Sequence, residues 1–303
     1  MAGIDINRTT EGVADLLPKD ISTEIWSKAI EESTVMRLAR RINLPAGGTT
    51  IPIITGDPEA DWVAETAEKP VSDSTIGSKN IRGYKMAVIE TFSMEFRRDL
   101  PGLYNELARR LPQALGKKFD QTVINGTAPG SDFDVLTGAP SVVVDTDDTP
   151  GDFLNAYQTV GLAGGSLNGW ALSPQAEALA MQARDANGNY LFVPNPQDGG
   201  SVGRIWGQPV YKSNAVYQAG DPEGDPTPVP ATLGIAGDWT SAIVGVISDV
   251  QVAISDSATV NKGGTQLNLW QRNMFAIRAE FEVGFAVRDI NHFVKLTGAA
   301  GGA

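Results

Sequence analysis

Tyr84 to Gly126 constrains this chain more than any other stretch. Tyr84, Met86, Val88, Phe92, Met94 and Phe96 stand at alternate positions, with Lys85, Thr91, Ser93 and Glu95 between them. A period of two predicts a strand with one face on a core and the other toward solvent or a partner. Glu90 interrupts the apolar face. Pro101 then stands near a helix start, and Leu103, Leu107, Leu111, Leu115 and Phe119 recur at helical spacing. Pro112 inside that pattern predicts a kink or a split, because proline removes one backbone bond. Asn125-Gly126 is a turn or C-cap signal. A strand that feeds a long helix leaves the residues before it as an arm and an extended loop. The residues after it read as an α/β insert followed by strands that return to this spine.

Composition narrows the class. The chain has 303 residues, 42% of them hydrophobic and 20% charged, with a mean hydropathy of −0.13. That is the range of a soluble globular protein of one large or two ordinary domains. The 33 glycines and 18 prolines favour turns and loops over a helical bundle. No apolar run of membrane-spanning length occurs, and the first ten residues lack the charge and apolar pattern of a secretory signal. Cysteine is absent, which excludes a disulfide framework and a thiolate metal site and fits a reducing cytoplasm. The net charge of −12 argues against reading of nucleic-acid sequence, which rewards lysine and arginine. Arg37, Arg40 and Arg41 form the one dense basic cluster and read as a solvated helix face.

Along the chain, residues 1–20 are polar and irregular. Asp20 and Ser22 offer N-caps for a helix carrying Ile25, Trp26, Ala29 and Ile30; Ser33-Thr34 interrupt it, and Val35, Leu38, Ala39 and Ile42 continue the apolar stripe. From 43 to 80, prolines and glycines exclude a long helix. Ile51, Ile53 and Ile54 suggest one short strand and Trp62-Val63-Ala64-Glu65 another. This stretch is too poor in large apolar residues to build a core, and an isolated hairpin is marginal in water. It therefore needs a neighbour to lie on, which points to oligomerisation.

After the spine, Val142-Val143-Val144 predicts a strand and Asp152 caps a helix carrying Phe153, Ala156, Tyr157 and Val160. Trp170-Ala171-Leu172 predicts a strand, and Ser173-Pro174 opens a second helix running toward Asn187-Gly188. Ile205 to Tyr211 reads as one strand and 219–230 as a surface loop. Short strands follow at Leu233–Asp238, Ala242–Ile247 and Val250–Ile254. From Phe275 to Val287, apolar residues alternate with Arg278, Glu280 and Glu282, the clearest strand pattern in the chain, with a bend expected at Gly284. His292–Leu296 is a final strand.

Catalytic chemistry is thin. The single histidine, His292, reads as an ordinary strand-end residue, and zinc needs more ligands than the chain owns. Gly199-Gly200-Ser201-Val202-Gly203 has the letters of a nucleophile elbow without its strand-turn-helix context. Asp145-Thr146-Asp147-Asp148 starts like a calcium loop, but Pro150 and Ala156 occupy its essential glycine and glutamate positions. No phosphate loop or dinucleotide fingerprint is present. Cofactors and metals are accordingly expected to be none. Carboxylate pairs such as Glu280 and Glu282, on one strand face, could serve as acid and base, with a solvated or interface face as the default.

Several stretches resemble one family in wording and in order. They are Asp61-Trp62-Val63-Ala64-Glu65 with Lys69-Pro70, Phe119-Asp120 through Asn125-Gly126-Thr127, and Trp170-Ala171-Leu172-Ser173-Pro174. Asp185 through Phe192, Ile205-Trp206-Gly207-Gln208-Pro209-Val210, Gly237-Asp238-Trp239 and Asn273 to Val287 complete the set. Together, over residues 20–297, they resemble the major capsid proteins of tailed bacteriophages, the Hong Kong 97-type fold. The resemblance implies an α+β fold. It divides into an N-terminal arm and helix (1–43), an extended β-hairpin loop (44–83), a peripheral domain with the spine helix (84–140 and 241–303) and an α/β axial domain (141–240).

The resemblance also implies a structural role without enzymatic activity. Copies of the chain would form hexamers and pentamers of an icosahedral shell around double-stranded DNA, assembled in the host cytoplasm. Its partners would be itself, a portal, and separate scaffolding or decoration proteins, with packaged DNA nearby and no membrane. The scaffolding segment that some members carry before the arm is not expected here, since about forty residues precede the loop and show no heptads. Trp62, Glu65, Lys69 and Lys79 would be the contacts that the loop makes to neighbouring subunits. Some members cross-link a loop lysine to an asparagine; the candidates here are Lys69 or Lys79 with Asn273, though no motif singles them out. A non-viral nanocompartment of the same fold and a carboxylate-dependent hydrolase are the rival readings, separated by cargo in the first case and by a deep pocket at Glu280 or Glu282 in the second.

Overall fold

The computed structural model describes residues 33–45, 47–56, 61–63, 69, 71, 75–94, 100–184, 192, 201–221, 223 and 229–298. A short helix, α1 (Thr34–Leu38), leads into strand β1 (Arg40–Asn43). Strands β2 (Thr49–Gly56) and β3 (Thr75–Ile81) form a hairpin, followed by β4 (Tyr84–Ser93) and the long helix α2 (Leu100–Asn125). Next come β5 (Ser141–Val143), α3 (Thr149–Leu162), β6 (Gly169–Leu172), α4 (Pro174–Gln182), β7 (Gly203–Ile205), β8 (Gln208–Lys212) and β9 (Thr232–Gly237). The chain continues with β10 (Ala242–Ser255), a small hairpin of β11 (Thr259–Lys262) and β12 (Thr265–Asn268), then β13 (Met274–Val287) and β14 (Phe293–Thr297).

The period-two pattern of β13 builds the first sheet, in the order β1-β10-β13-β4. Phe275, Ile277, Ala279, Phe281, Val283, Phe285 and Val287 are all buried, in one cluster with Leu115, Phe119, Val123 and Ile124 of α2. The rings of Phe119, Phe133 and Phe285 meet one another with centroids 6.2–6.4 Å apart. Each such ring removed from water contributes about 2–3 kcal/mol. β4 pairs with β13 over ten positions, from Tyr84 opposite Val283 to Ser93 opposite Met274. Its apolar positions Tyr84, Met86, Val88 and Phe92 pack on this core, and Glu90 is half-buried opposite Ile277.

The second sheet has the order β5-β14-β9-β6-β8-β7. β6 and β9 are buried throughout, because both faces are covered. Trp170, Leu172, Ala236, Val294 and Leu296 pack with Phe153, Ala156 and Val160 of α3 and with Ala176 and Ala180 of α4. Ala171, Ile235 and Phe293 point the other way and join the core of the first sheet. The two sheets therefore share a core.

Local signals explain most element ends. Asn125 closes α2, and Ser173 caps α4 by accepting a bond from the Ala176 amide. α2 runs without a break across Pro112, so the proline does not split it. The side chains of Leu103, Leu107 and Leu111 lie outside the described residues.

Other expectations are corrected. Ser33 is the N-cap of a helix that ends at Leu38, and the continuing stripe is strand β1, held parallel to β10. The hairpin partner of β2 is β3, not 62–65; residues 61–63 carry no strand, and 64–65 lie outside the described residues. Thr75–Ile81 has few apolar residues, so pairing rather than propensity makes it a strand. Asp148, not Asp152, caps α3, while Asp152 accepts the Asp145 amide. α4 stops at Gln182 rather than running on to Asn187-Gly188. The strand read through Ile205–Tyr211 is a hairpin turning at Trp206-Gly207, where φ is +50° and +79°. Both values are positive, as a two-residue hairpin turn requires.

The two strands read at 242–247 and 250–254 are one strand, β10, with register shifts between Val246 and Gln251. Those irregularities, not Gly284, break the regular ladder of the β10–β13 pair. Gly284 lies opposite Gly245 and passes under the chain at Arg82, whose carbonyl oxygen would stand 2.5 Å from a Cβ there. Finally, β1 of the expected arm joins the first sheet, and β14 of the expected peripheral part completes the second.

Candidate functional site

The features left over once the cores are built are those that leave the body. The largest is the β2–β3 hairpin. Its root is fastened by Ile81, Leu44 and Ala286, with Ile42, Ile51, Ile243 and Ile247 packed around them. Lys79 donates to the Val287 carbonyl at 2.6 Å and pairs with Asp134 Oδ2, also at 2.6 Å. Asp134 in turn accepts the Val287 amide at 2.8 Å. Past the root, Asp61, Trp62, Val63, Lys69 and Val71 are exposed, and Trp62 is 104% exposed. A large aromatic held wholly in water is informative, since such rings are normally covered by something. Glu65 lies outside the described residues.

The second projection is the β11–β12 hairpin, turning on Gly263 and Gly264 with φ of +60° and +84°. Most of its residues are exposed on both faces. Just beyond it, Trp270 is exposed and Asn273 adopts the left-handed conformation with φ of +53°. The cross-link candidates are thus two exposed residues, Lys69 and Asn273, and one lysine, Lys79, already committed to Asp134.

The third feature is the root of the N-terminal arm. Asp120, on the buried face of α2, accepts Ser33 Oγ at 2.6 Å, the Thr34 amide at 2.8 Å and the Val35 amide at 3.3 Å. Its carboxyl is fully buried, and burial raises its pKa from 3.8 to about 6 against those hydrogen bonds. Sequence reasoning passed over Asp120. The signal was there: Leu115, Phe119, Val123 and Ile124 recur at helical spacing and put 120 beside the apolar face of the helix, where a carboxylate needs partners.

The catalytic candidates find structural roles. Glu280 and Glu282 face Lys85 at 3.7 and 3.5 Å, and Glu280 also meets Arg278 at 3.4 Å, making an ion-pair ladder across β4 and β13. His292 is buried and shares a 2.8 Å hydrogen bond with Ser241 Oγ. Asp145 and Asp148 bind backbone amides of their own turn and of the α3 N-terminus. Ser201 is followed by β7, not by a helix. Among the described residues no group of three or more histidine, aspartate or glutamate side chains is placed to hold a metal, and no helix is long and apolar enough to cross a membrane.

Two sheets on a shared core, with a spine helix and two hairpins reaching out, define an α+β subunit built to meet neighbours. The chain belongs to the phage capsid family, whose model matches residues 13–298. It is 27% identical to the probable major capsid protein gp17 of Mycobacterium phage D29, covering 94% of this chain and 91% of that one. It is 23% identical to the major capsid protein of Staphylococcus phage 80alpha, covering 93% and 85%. Among solved structures, a chain from Gordonia phage Cozz superposes with a TM-score of 0.66 at 28% identity, covering 96% of this chain and 94% of that one. The fold is also that of a chain from Mycobacterium phage Ogopogo, with a TM-score of 0.70 over 88% and 92%.

Proposed function

We infer that this chain is the major capsid subunit of a tailed bacteriophage and that its work is self-association. The observation that carries this reading is the family match over nearly the whole chain, together with two projecting hairpins whose surfaces the subunit itself does not cover. Copies form hexamers and pentamers that close an icosahedral shell around double-stranded DNA. Many weak contacts per subunit, repeated around a closed surface, give a stable whole. The net charge of −12 suits a wall that must not bind the DNA it encloses. Assembly takes place in the host cytoplasm, with a portal at one vertex as a partner.

Trp62, Glu65 and Lys69 make the contacts of the extended loop to a neighbouring subunit, whereas Lys79 anchors the root of that loop. If a covalent cross-link forms in the shell, Lys69 supplies the amine and Asn273 the amide. Electron microscopy of the purified protein at high concentration tests the main reading. Closed shells or capsomer rings are expected, and a protein that stays strictly monomeric overturns it. Denaturing gel electrophoresis of assembled particles tests the cross-link, which a clean band at the monomer mass of 32.1 kDa rejects.

A further inference from the structure

Asp120 is the one acidic side chain among the described residues that is both wholly buried and bound to a segment of chain far away in sequence. Its three donors come from Ser33, Thr34 and Val35, all within 2% of complete burial. Ser33 Oγ also accepts the Met36 amide, so one serine caps the α1 helix and ties it to α2. Among the described residues, no cation pairs with the carboxylate. Arg37, on the same short helix, is exposed and stands over the Tyr211 ring, 5.1 Å from its centroid. Lys117 and Lys118 lie on the exposed face of α2. β6, packed against α1, carries no titratable residue. On β13, Arg278, Glu280 and Glu282 belong to the ladder with Lys85, and Asp134 is held by Lys79.

A full negative charge buried away from solvent is costly even when hydrogen-bonded. Protonation removes that cost with few bonds lost. The bond given up is the one that the Ser33 hydroxyl donates, while the other carboxyl oxygen keeps the Thr34 amide. We propose that Asp120 is a proton-operated latch: α1 docks on the spine helix more tightly when this carboxyl is protonated than when it is ionised. Acid therefore tightens the root of the arm, and neutral pH loosens it.

The sign follows from linkage. Docked, the carboxyl has its pKa raised from 3.8 to about 6; undocked, it meets water and falls back toward the lower value. The docked form binds the proton more tightly, so docking strengthens as pH falls through about 6 toward 3.8 and weakens as pH rises through the same window. Between pH 7.5 and pH 5 the docking equilibrium should change roughly tenfold.

Hydrogen exchange of the full chain between pH 5 and 7.5, corrected for the intrinsic pH dependence of exchange, reads this directly at the Val35, Met36, Arg37 and Ala39 amides. Protection is expected to be roughly tenfold higher at pH 5. Asp120→Asn should flatten the profile. Ser33→Ala, which removes a bond favouring the ionised form, should move the rise to higher pH. His292→Gln should leave the profile intact, because that histidine sits elsewhere, against Ser241. A flat wild-type profile, a wild-type profile in Asp120→Asn, or loss of the response in His292→Gln alone overturns the proposal. Should Asp120→Asn fail to fold, an unshifted profile in Ser33→Ala overturns it instead.

Discussion

Lys79 Nζ stands 2.6 Å from Asp134 Oδ2, joining the extended hairpin to the loop that follows the spine helix. The same nitrogen caps the carbonyl of Val287, the last residue of β13. Three segments far apart in sequence therefore meet at one ammonium group. Lys79→Met removes the charge and the donor while keeping the apolar stem over the hairpin root. Both groups are about one-third exposed, so screening limits the effect. A loss of about 1 kcal/mol in denaturant unfolding is expected, shrinking at high salt, with faster hydrogen exchange in β3. An unchanged midpoint and unchanged exchange would show that the apolar root alone holds the hairpin.

Gly284→Val should be far more damaging than its place in a strand suggests. The added carbons meet the Arg82 backbone, which cannot move without lifting Ile81 out of its cluster. A loss of about 2 kcal/mol or more is expected in thermal or urea unfolding. The opposite outcome, stabilisation by a better strand former, would show that the crossing above the sheet is loose.

Phe119→Ala deletes a ring that touches both Phe133 and Phe285. Large-to-small changes at such sites cost about 3–5 kcal/mol. The variant should aggregate on expression or unfold at markedly lower urea, and a midpoint within error of wild type would exclude this cluster as the centre of the core.

Lys295 carries a half-buried ammonium with no ion pair among the described residues, and burial lowers its pKa. Its folded form holds the proton less tightly than the unfolded form, so its contribution to stability rises as pH rises toward the ordinary lysine range. Lys295→Met should leave stability at pH 7 equal or higher and flatten the alkaline limb of the stability profile. A clear loss of stability at pH 7 would show that the ammonium has a partner.

Trp62→Ser separates folding from assembly. The ring is wholly exposed, so the subunit's melting should not move by more than about 0.5 kcal/mol equivalent. Yield of shells in sedimentation should fall several-fold, since buried tryptophans dominate interface energies. Normal shell yield would remove Trp62 from the proposed contact surface.

The legible part of this fold is the part governed by local periodicity. The strand at Tyr84, the long helix closing at Asn125, the serine cap at 173 and the alternating run of β13 follow from neighbours two to four positions apart. These patterns are physical consequences of burying one face, so they survive without knowledge of what lies opposite. Errors gathered where pairing overrides propensity. Thr75–Ile81 is a strand because β2 lies beside it, and β10 reads as two strands because its bulges break the period.

Exposure along the proposed contact loop was half legible. Trp62 and Lys69 were named as what the family resemblance implies for the loop, and both are exposed. Lys79 was grouped with them because a surface lysine and an anchoring lysine are the same letter; only Asp134, 55 positions on, distinguishes them.

By itself, then, the sequence determined the strand-to-helix spine, the apolar faces and the absence of cysteine chemistry, all of which depend on composition and short spacings. Only the tertiary structure decided that β14 joins the second sheet, that Gly284 passes beneath the chain at Arg82, and that Asp120 holds Ser33 across 87 positions. Contacts between residues so distant along the chain leave no periodic trace, because either partner alone is compatible with many environments and the pairing is chosen by the packing of everything between them.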